Sequence, residues 1–218
     1  MNPDSNNASH HRGINKVISK LSTTEKGSSI VLLWALIVGA LTGCIGAFFQ
    51  LALAQIATIK EMFLKFLEFT PGLPIIGSIV LSGVMVYITF LLIRKLAPET
   101  GGSGVQEIEG GLERLRPLRW KRVIPIKFFG GLLSLGSGMV MGREGPTIQI
   151  GGNIGKMVAD VFKVSKIDAH ALVAAGAGGG LSAAFNAPLA GILFVIEEMR
   201  PEFKYNFLTV QAVIIASA

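Results

Sequence analysis

The chain is poor in the residues that most soluble chemistry requires. It has one cysteine, Cys44, set in an apolar run. A disulfide framework and a cysteine metal site are both excluded. Its three histidines, His10, His11 and His170, are too few and too scattered for a catalytic zinc site, and His10-His11 lies in a polar tail. Charge is also scarce: 16% of the 218 residues are Asp, Glu, Lys or Arg, against about 25% in soluble domains. No charged tract of the nucleic-acid-binding kind appears, and the net charge of +6 suits basic loops on one side of a membrane. We expect no signal peptide, because the tail before the first apolar run is long and polar.

Half of the residues are hydrophobic and 27 are glycine. That combination points to an all-α integral membrane protein with closely packed helices. Residues 1–29 form a polar segment carrying Arg12, Lys16, Lys20 and Lys26, with a short surface helix over 13–25 at most. Residues 30–218 form the membrane domain. The run from Ile30 to Ile59 exceeds the ~20 residues needed to span, so it predicts a long tilted helix. Gly39 and Gly43 place a small-xxx-small pair on one of its faces. A loop from Lys60 to Pro74 follows, then a second span from Leu73 to Ile93. Arg94, Lys95, Arg114, Arg116, Arg119, Lys121 and Arg122 cluster after that span. The positive-inside rule then puts the N-terminus and the 94–122 region in the cytoplasm.

Beyond Ile124 the apolar stretches shorten: 123–141, 147–161, 169–182 and 189–196. Gly142–Pro146, Gly151-Gly152, Gly178-Gly179-Gly180 and Asn186-Ala187-Pro188 read as breaks between them. Broken helices at membrane depth survive only inside protein or beside a cavity, and transporters build ion sites from them. Glu144 lies in such a break. A carboxylate at that depth costs about 2.5–3.5 kcal/mol on insertion scales, which makes it a functional-site candidate. Pro146 suits a first helical turn, so a helix is expected towards Val161. Arg143, Glu144 and Gly145 would supply its free N–H groups, an arrangement suited to an anion.

A second interrupted segment runs Gly101-Gly102-Ser103-Gly104-Val105-Gln106-Glu107, with a short helix expected over Gln106–Leu112. On its own Ser103 reads as an N-cap. Its hydroxyl and the nearby backbone N–H groups, those of Gly104 and Val105, would lie at the helix entrance. Lys127 and Glu109, if both buried, are expected to form a structural pair. Glu197-Glu198 closes the last short apolar run, as solubility residues or as part of a proton path. Gly151-Gly152-Asn153-Ile154-Gly155-Lys156 has part of a phosphate-loop pattern, but Met157 stands where Ser or Thr is needed. No nucleophile–base pair or metal constellation that would mark an enzyme is visible.

These segments together resemble the CLC family of chloride channels and transporters, in particular the N-terminal half of a bacterial chloride/proton antiporter. They are Gly102-Ser103-Gly104, Glu107-Ile108-Glu109-Gly110, Lys127-Phe128-Phe129-Gly130-Gly131, Gly142-Arg143-Glu144-Gly145-Pro146-Thr147, the run from Ala183 to Gly191, and Ile196-Glu197-Glu198-Met199-Arg200-Pro201. The resemblance implies a CLC-type fold of tilted, broken helices, this chain being the first of two inverted repeats. It implies chloride and protons as substrates, no cofactor, a homodimer in a bacterial inner membrane, and no nucleic-acid partner. By resemblance, Glu144 is the gating and proton-carrying glutamate, Ser103 binds chloride beside the N–H groups of Gly104 and Val105, and Glu198 transfers protons on the inner side; Ser103 and Glu144 are then expected to converge on one anion site. An acid at Glu198 favours antiport over a passive voltage-gated channel, which is the alternative reading.

Two departures stand out. The family's serine motif continues Ile-Pro, whereas this chain has Val105-Gln106. Gln106 adds a backbone donor and a polar side chain beside the expected anion site. The second inverted half, with its amides and the tyrosine that closes the site from inside, is not in this sequence. The 218 residues alone are therefore expected to be an incomplete, non-transporting half.

Overall fold

The computed structural model describes the backbone of residues 4–70, 72–199 and 207–218, and the side chains of 30–70, 72–199 and 209–218. All regular structure among them is helical: α1 (Asp4–Phe66), α2 (Leu73–Leu96), α3 (Val105–Leu112), α4 (Trp120–Gly136), α5 (Glu144–Val161), α6 (Lys166–Phe185), α7 (Pro188–Glu197) and α8 (Phe207–Ser217). The expected short helix over 13–25 is part of α1, and the side chains of the polar segment lie outside the described residues. The loop expected from Lys60 is also helical, because Lys60–Phe66 contains neither glycine nor proline. A 3-10 turn over Leu67–Phe69 follows, and Gly72, at φ 87°, precedes the next helix. Ile30–Phe69 and Leu73–Leu96 are each long and apolar enough to cross a membrane.

Breaks are present near the expected positions Gly142–Pro146 and Asn186–Pro188 but shifted: the first covers 137–143, with Glu144–Pro146 already in α5, and the second is Asn186-Ala187. The helix after the second one starts at Pro188, behind Asn186 at φ 54°. Two other expected breaks are absent: Gly151-Gly152 lies within α5, and Gly178-Gly179-Gly180 within α6. Their glycines serve contact instead. A Cβ on Gly151 would strike the carbonyl of Gly176, one on Gly155 the carbonyl of Leu172, and one on Gly180 the carbonyl of Thr147. The two helices therefore cross backbone against backbone, which only glycine permits. Both are buried along most of their length.

α1 and α8 cover the far side of α6. Gly39 lies against the backbone of Ala216, and Gly46 against Ala183, whereas Gly43 has nothing within 4 Å. The contact line on α1 therefore runs Gly39–Thr42–Gly46, following the helical period, rather than Gly39–Gly43. α7 returns along α6, with Gly191 against Ser182 and the Gly178 carbonyl. Gln50 on α1 donates from Nε2 to the carbonyl of Ala183 at 2.6 Å, which satisfies part of the open C-terminal end of α6.

Candidate anion site at two helix starts

The site is assembled from the starts of α3 and α5. α3 begins behind Gly102 and Gly104, which sit at φ 85° and 93°. A Cβ on Gly104 would meet Gln149 Cβ at 2.6 Å and its Oε1 at 2.8 Å, so this glycine lets the segment lie flat on α5. Gly145 makes the reciprocal approach: a Cβ there would collide with the Ser103 carbonyl. Ser103-Gly104-Val105 and Arg143-Glu144-Gly145 are thus brought together at backbone distance. The convergence follows from glycine on both sides of the contact.

α5 starts at Glu144, with Arg143 as the cap residue. Pro146 has no N–H, and those of Arg143, Glu144 and Gly145 have no backbone partner among the described residues. Thr147 Oγ1 donates to the Glu144 carbonyl at 2.8 Å and steadies the first turn. The Glu144 side chain folds back over Gly142, where even a methyl group would collide with the carboxylate. A negative group at this position is favoured by the helix dipole. Glu144 is half-buried, and Arg143 is exposed.

A cavity of about 610 Å³ opens here, lined among others by Ser103, Val105, Lys127, Glu144, Gly145 and Pro146. Lys127 is 6% exposed. Its Nζ donates to the carbonyls of Thr100 at 2.9 Å and Gly102 at 2.8 Å. This corrects the expected pairing with Glu109: among the described residues those two side chains form no ion pair. The chain leaves a short 3-10 turn at Thr100 and reverses at Gly102. Its carbonyls have no helical partner there, and buried carbonyls require donors. The ammonium supplies them, so a positive charge stands directly behind the turn that carries Ser103.

Glu109 faces other acids. Its helix, α3, is about 12 Å long and does not span. Burial raises the Glu109 carboxyl above the ordinary value, and the like charges of Glu198 and Glu113 add to the rise. That coupling places Glu198 near Glu109. Glu198 is the exposed C-terminal cap of α7, its N–H donating to the Phe194 carbonyl at 2.8 Å, and it does not line the cavity. Arg200-Pro201, at the end of that motif, lies outside the described residues.

The sequence reading missed Gln149. It is wholly buried, and its Nε2 donates to the Glu99 carbonyl at 2.8 Å. Its Oε1 lies against Gly104 without a hydrogen-bond partner. The signal was present: a glutamine inside an apolar helix must find partners within the protein. Lys60 was missed in the same way. Its Nζ donates to Ser82 Oγ at 3.2 Å and to the Ser137 carbonyl at 2.5 Å. It thereby ties α1 and α2 to the root of the 137–143 linker that leads to Glu144.

The profile of the voltage gated chloride channel family matches residues 83–218. The chain is 48% identical over 206 residues to the H(+)/Cl(-) exchange transporter ClcA of Vibrio parahaemolyticus, covering 94% of this chain and 43% of that protein. It is 51% identical over 197 residues to ClcA of Salmonella paratyphi B, covering 90% and 42%. Among solved structures, a slow cyanobacterial Cl-/H+ antiporter matches with a TM-score of 0.82 at 43% identity, over 86% of this chain and 44% of that one. A eukaryotic CLC transporter shares the fold, with a TM-score of 0.75 at 19% identity. The chain spans less than half the length of the curated relatives it matches. It belongs to the voltage gated chloride channel, or CLC, family of membrane proteins.

Proposed function

We propose that the protein carrying this chain exchanges chloride for protons across a bacterial inner membrane. The observation that carries the reading is the backbone contact of Ser103 with Gly145. It sets two helix starts, a serine hydroxyl and a buried lysine around one cavity that also contains the Glu144 carboxylate. Free N–H groups and a positive dipole end favour an anion there. A glutamate on the same donors competes with the anion, and on protonation gives up its claim to them. That reciprocity is what exchange requires.

Glu198 supplies the inner proton step in this reading. It is exposed and close enough to Glu109 to act on its carboxyl. The basic residues at 94–122 support a cytoplasmic N-terminus. The names of the ClcA relatives support chloride and protons as the ions, and residues beyond this chain's match in those relatives would complete the site. In the resemblance to the family the working unit is a homodimer. A passive chloride channel is the second reading, and Glu198 disfavours it.

The test uses the whole protein in vesicles, with chloride and pH electrodes read together. Glu144→Gln keeps the shape of the side chain and removes its titratable proton. Chloride should still move, and chloride-driven proton uptake should vanish. Proton uptake that persists in this variant removes Glu144 from its role.

A further inference from the structure

The Ser103 hydroxyl is not free. Its single proton is donated to Gln106 Oε1 at 3.1 Å, and its oxygen lies 3.4 Å from the Val105 N–H as acceptor. A hydroxyl has one hydrogen to give, and here a side chain one helical turn onward takes it. We propose that Gln106 is an affinity-setting residue that competes with the transported anion for the Ser103 hydroxyl. This rests on the reading of Ser103 as an anion ligand.

An anion accepts hydrogen bonds and donates none. To be held by Ser103 it must take the proton that Gln106 Oε1 now accepts. Gln106 is exposed, at the second position of α3, so its carboxamide can swing away without disturbing packing. Releasing it costs one hydrogen bond, and a neutral pair contributes a modest net amount. The bound state therefore carries a constant penalty, set by a residue that need not itself contact the anion. Lys127 and the Gly104 turn hold the backbone of the segment independently of this contact, so the side chain of Gln106 is separable from the fold around it.

Chloride titration calorimetry on the detergent-solubilised whole protein tests the proposal. Gln106→Leu keeps bulk and removes the acceptor; it should bind chloride about three- to ten-fold more tightly. Gln106→Glu keeps an acceptor and adds negative charge; it should bind more weakly than the parent. Misfolding cannot move two variants in opposite directions. Gln106→Leu in a Ser103→Ala background should bring no gain, since the hydroxyl at issue is gone. The proposal is overturned if Gln106→Leu leaves affinity unchanged or lowers it, or if its gain survives in Ser103→Ala. If Ser103→Ala alone leaves chloride affinity unaltered, the anion-site reading itself falls, and this competition falls with it.

Discussion

The crossing of α5 and α6 and the paired starts of α3 and α5 both depend on glycine, but for different ends. In the crossing, Gly151, Gly155, Gly176 and Gly180 bring helical backbone onto helical backbone, deep in the protein. At the site, Gly102 and Gly104 take left-handed conformations, and Gly145 admits a carbonyl. The first region has no adjustable part. The second ends in side-chain acceptors: Glu144 folded over Gly142, and Gln106 resting on Ser103. A close-packed frame fixes the backbone donors independently of the side-chain acceptors at its edge.

The comparison breaks most severely in the crossing. Overpacking costs about 1–3 kcal/mol where side chains can shift. At Gly176 the obstacle is the carbonyl of Gly151, which cannot shift without dragging α5. Gly176→Val is therefore expected to yield no monodisperse protein in fluorescence-detected size exclusion, and Gly176→Ala a steep loss of thermal stability. Gly43→Ala is the control: nothing lies within 4 Å, and a helical Gly→Ala change gains about 1 kcal/mol. Equal tolerance at the two positions would mean that α5 and α6 do not cross at backbone contact.

This contrast also explains what could be read from the sequence. The breaks near 142–146 and 186–188 were legible because each contains a proline, which starts a helix readily and does not continue one. Gly151-Gly152 and Gly178–Gly180 were misread as breaks because glycine without proline is equally the signature of close packing. The convergence of Ser103 and Glu144 was legible from the resemblance to the CLC family, whose motifs cover both helix starts. The partner of Lys127 was not. Sequence offers charged side chains as candidates, and the real partners are the main-chain carbonyls of Thr100 and Gly102, exposed by a turn that only the fold reveals. Gln149 and Lys60 were overlooked because each satisfies groups distant in sequence.

The next largest effect is expected where frame meets site. Hydrogen bonds to charged groups contribute about 1.5–3 kcal/mol, and Lys127 makes two of them to the turn below Ser103. Lys127→Met leaves both carbonyls without that donor and removes the cation behind the site. Thermal melting should drop clearly, and chloride affinity should fall with it. Lys127→Arg should recover part of the stability. A Lys127→Met protein that melts lower but binds chloride normally would make the lysine a support of the turn alone.

A smaller effect is expected at the root of the 137–143 linker. Ser82 Oγ donates to the Ser137 carbonyl at 2.7 Å, beside the bond from Lys60. Ser82→Ala removes one of two donors to that oxygen and should cost about 1 kcal/mol. Chloride affinity should be unchanged, since neither the α3 start nor Glu144 is touched. Loss of affinity in Ser82→Ala would show that the 137–143 linker transmits strain to the site, and that the frame is softer than its contacts suggest.

The smallest effect is expected from Gln106→Pro, because its consequences oppose one another. Gln106 is at the second position of α3, where its N–H has no backbone partner among the described residues. Proline, with φ fixed near −65° and no N–H, is compatible with a first helical turn. The substitution removes the acceptor that holds the Ser103 proton, which should tighten chloride binding. It also removes one free amide from the helix start, which should loosen it. The net shift in affinity, read by calorimetry beside Gln106→Leu, should be smaller than that of the leucine variant, with melting nearly unchanged. A larger gain than leucine gives would mean that the Gln106 amide opposes the anion rather than helping it. Failure of Gln106→Pro to fold would mean that the turn at Gly104 does not deliver the chain into α3 in a proline-compatible geometry, and the donors at Ser103 would then need a different account.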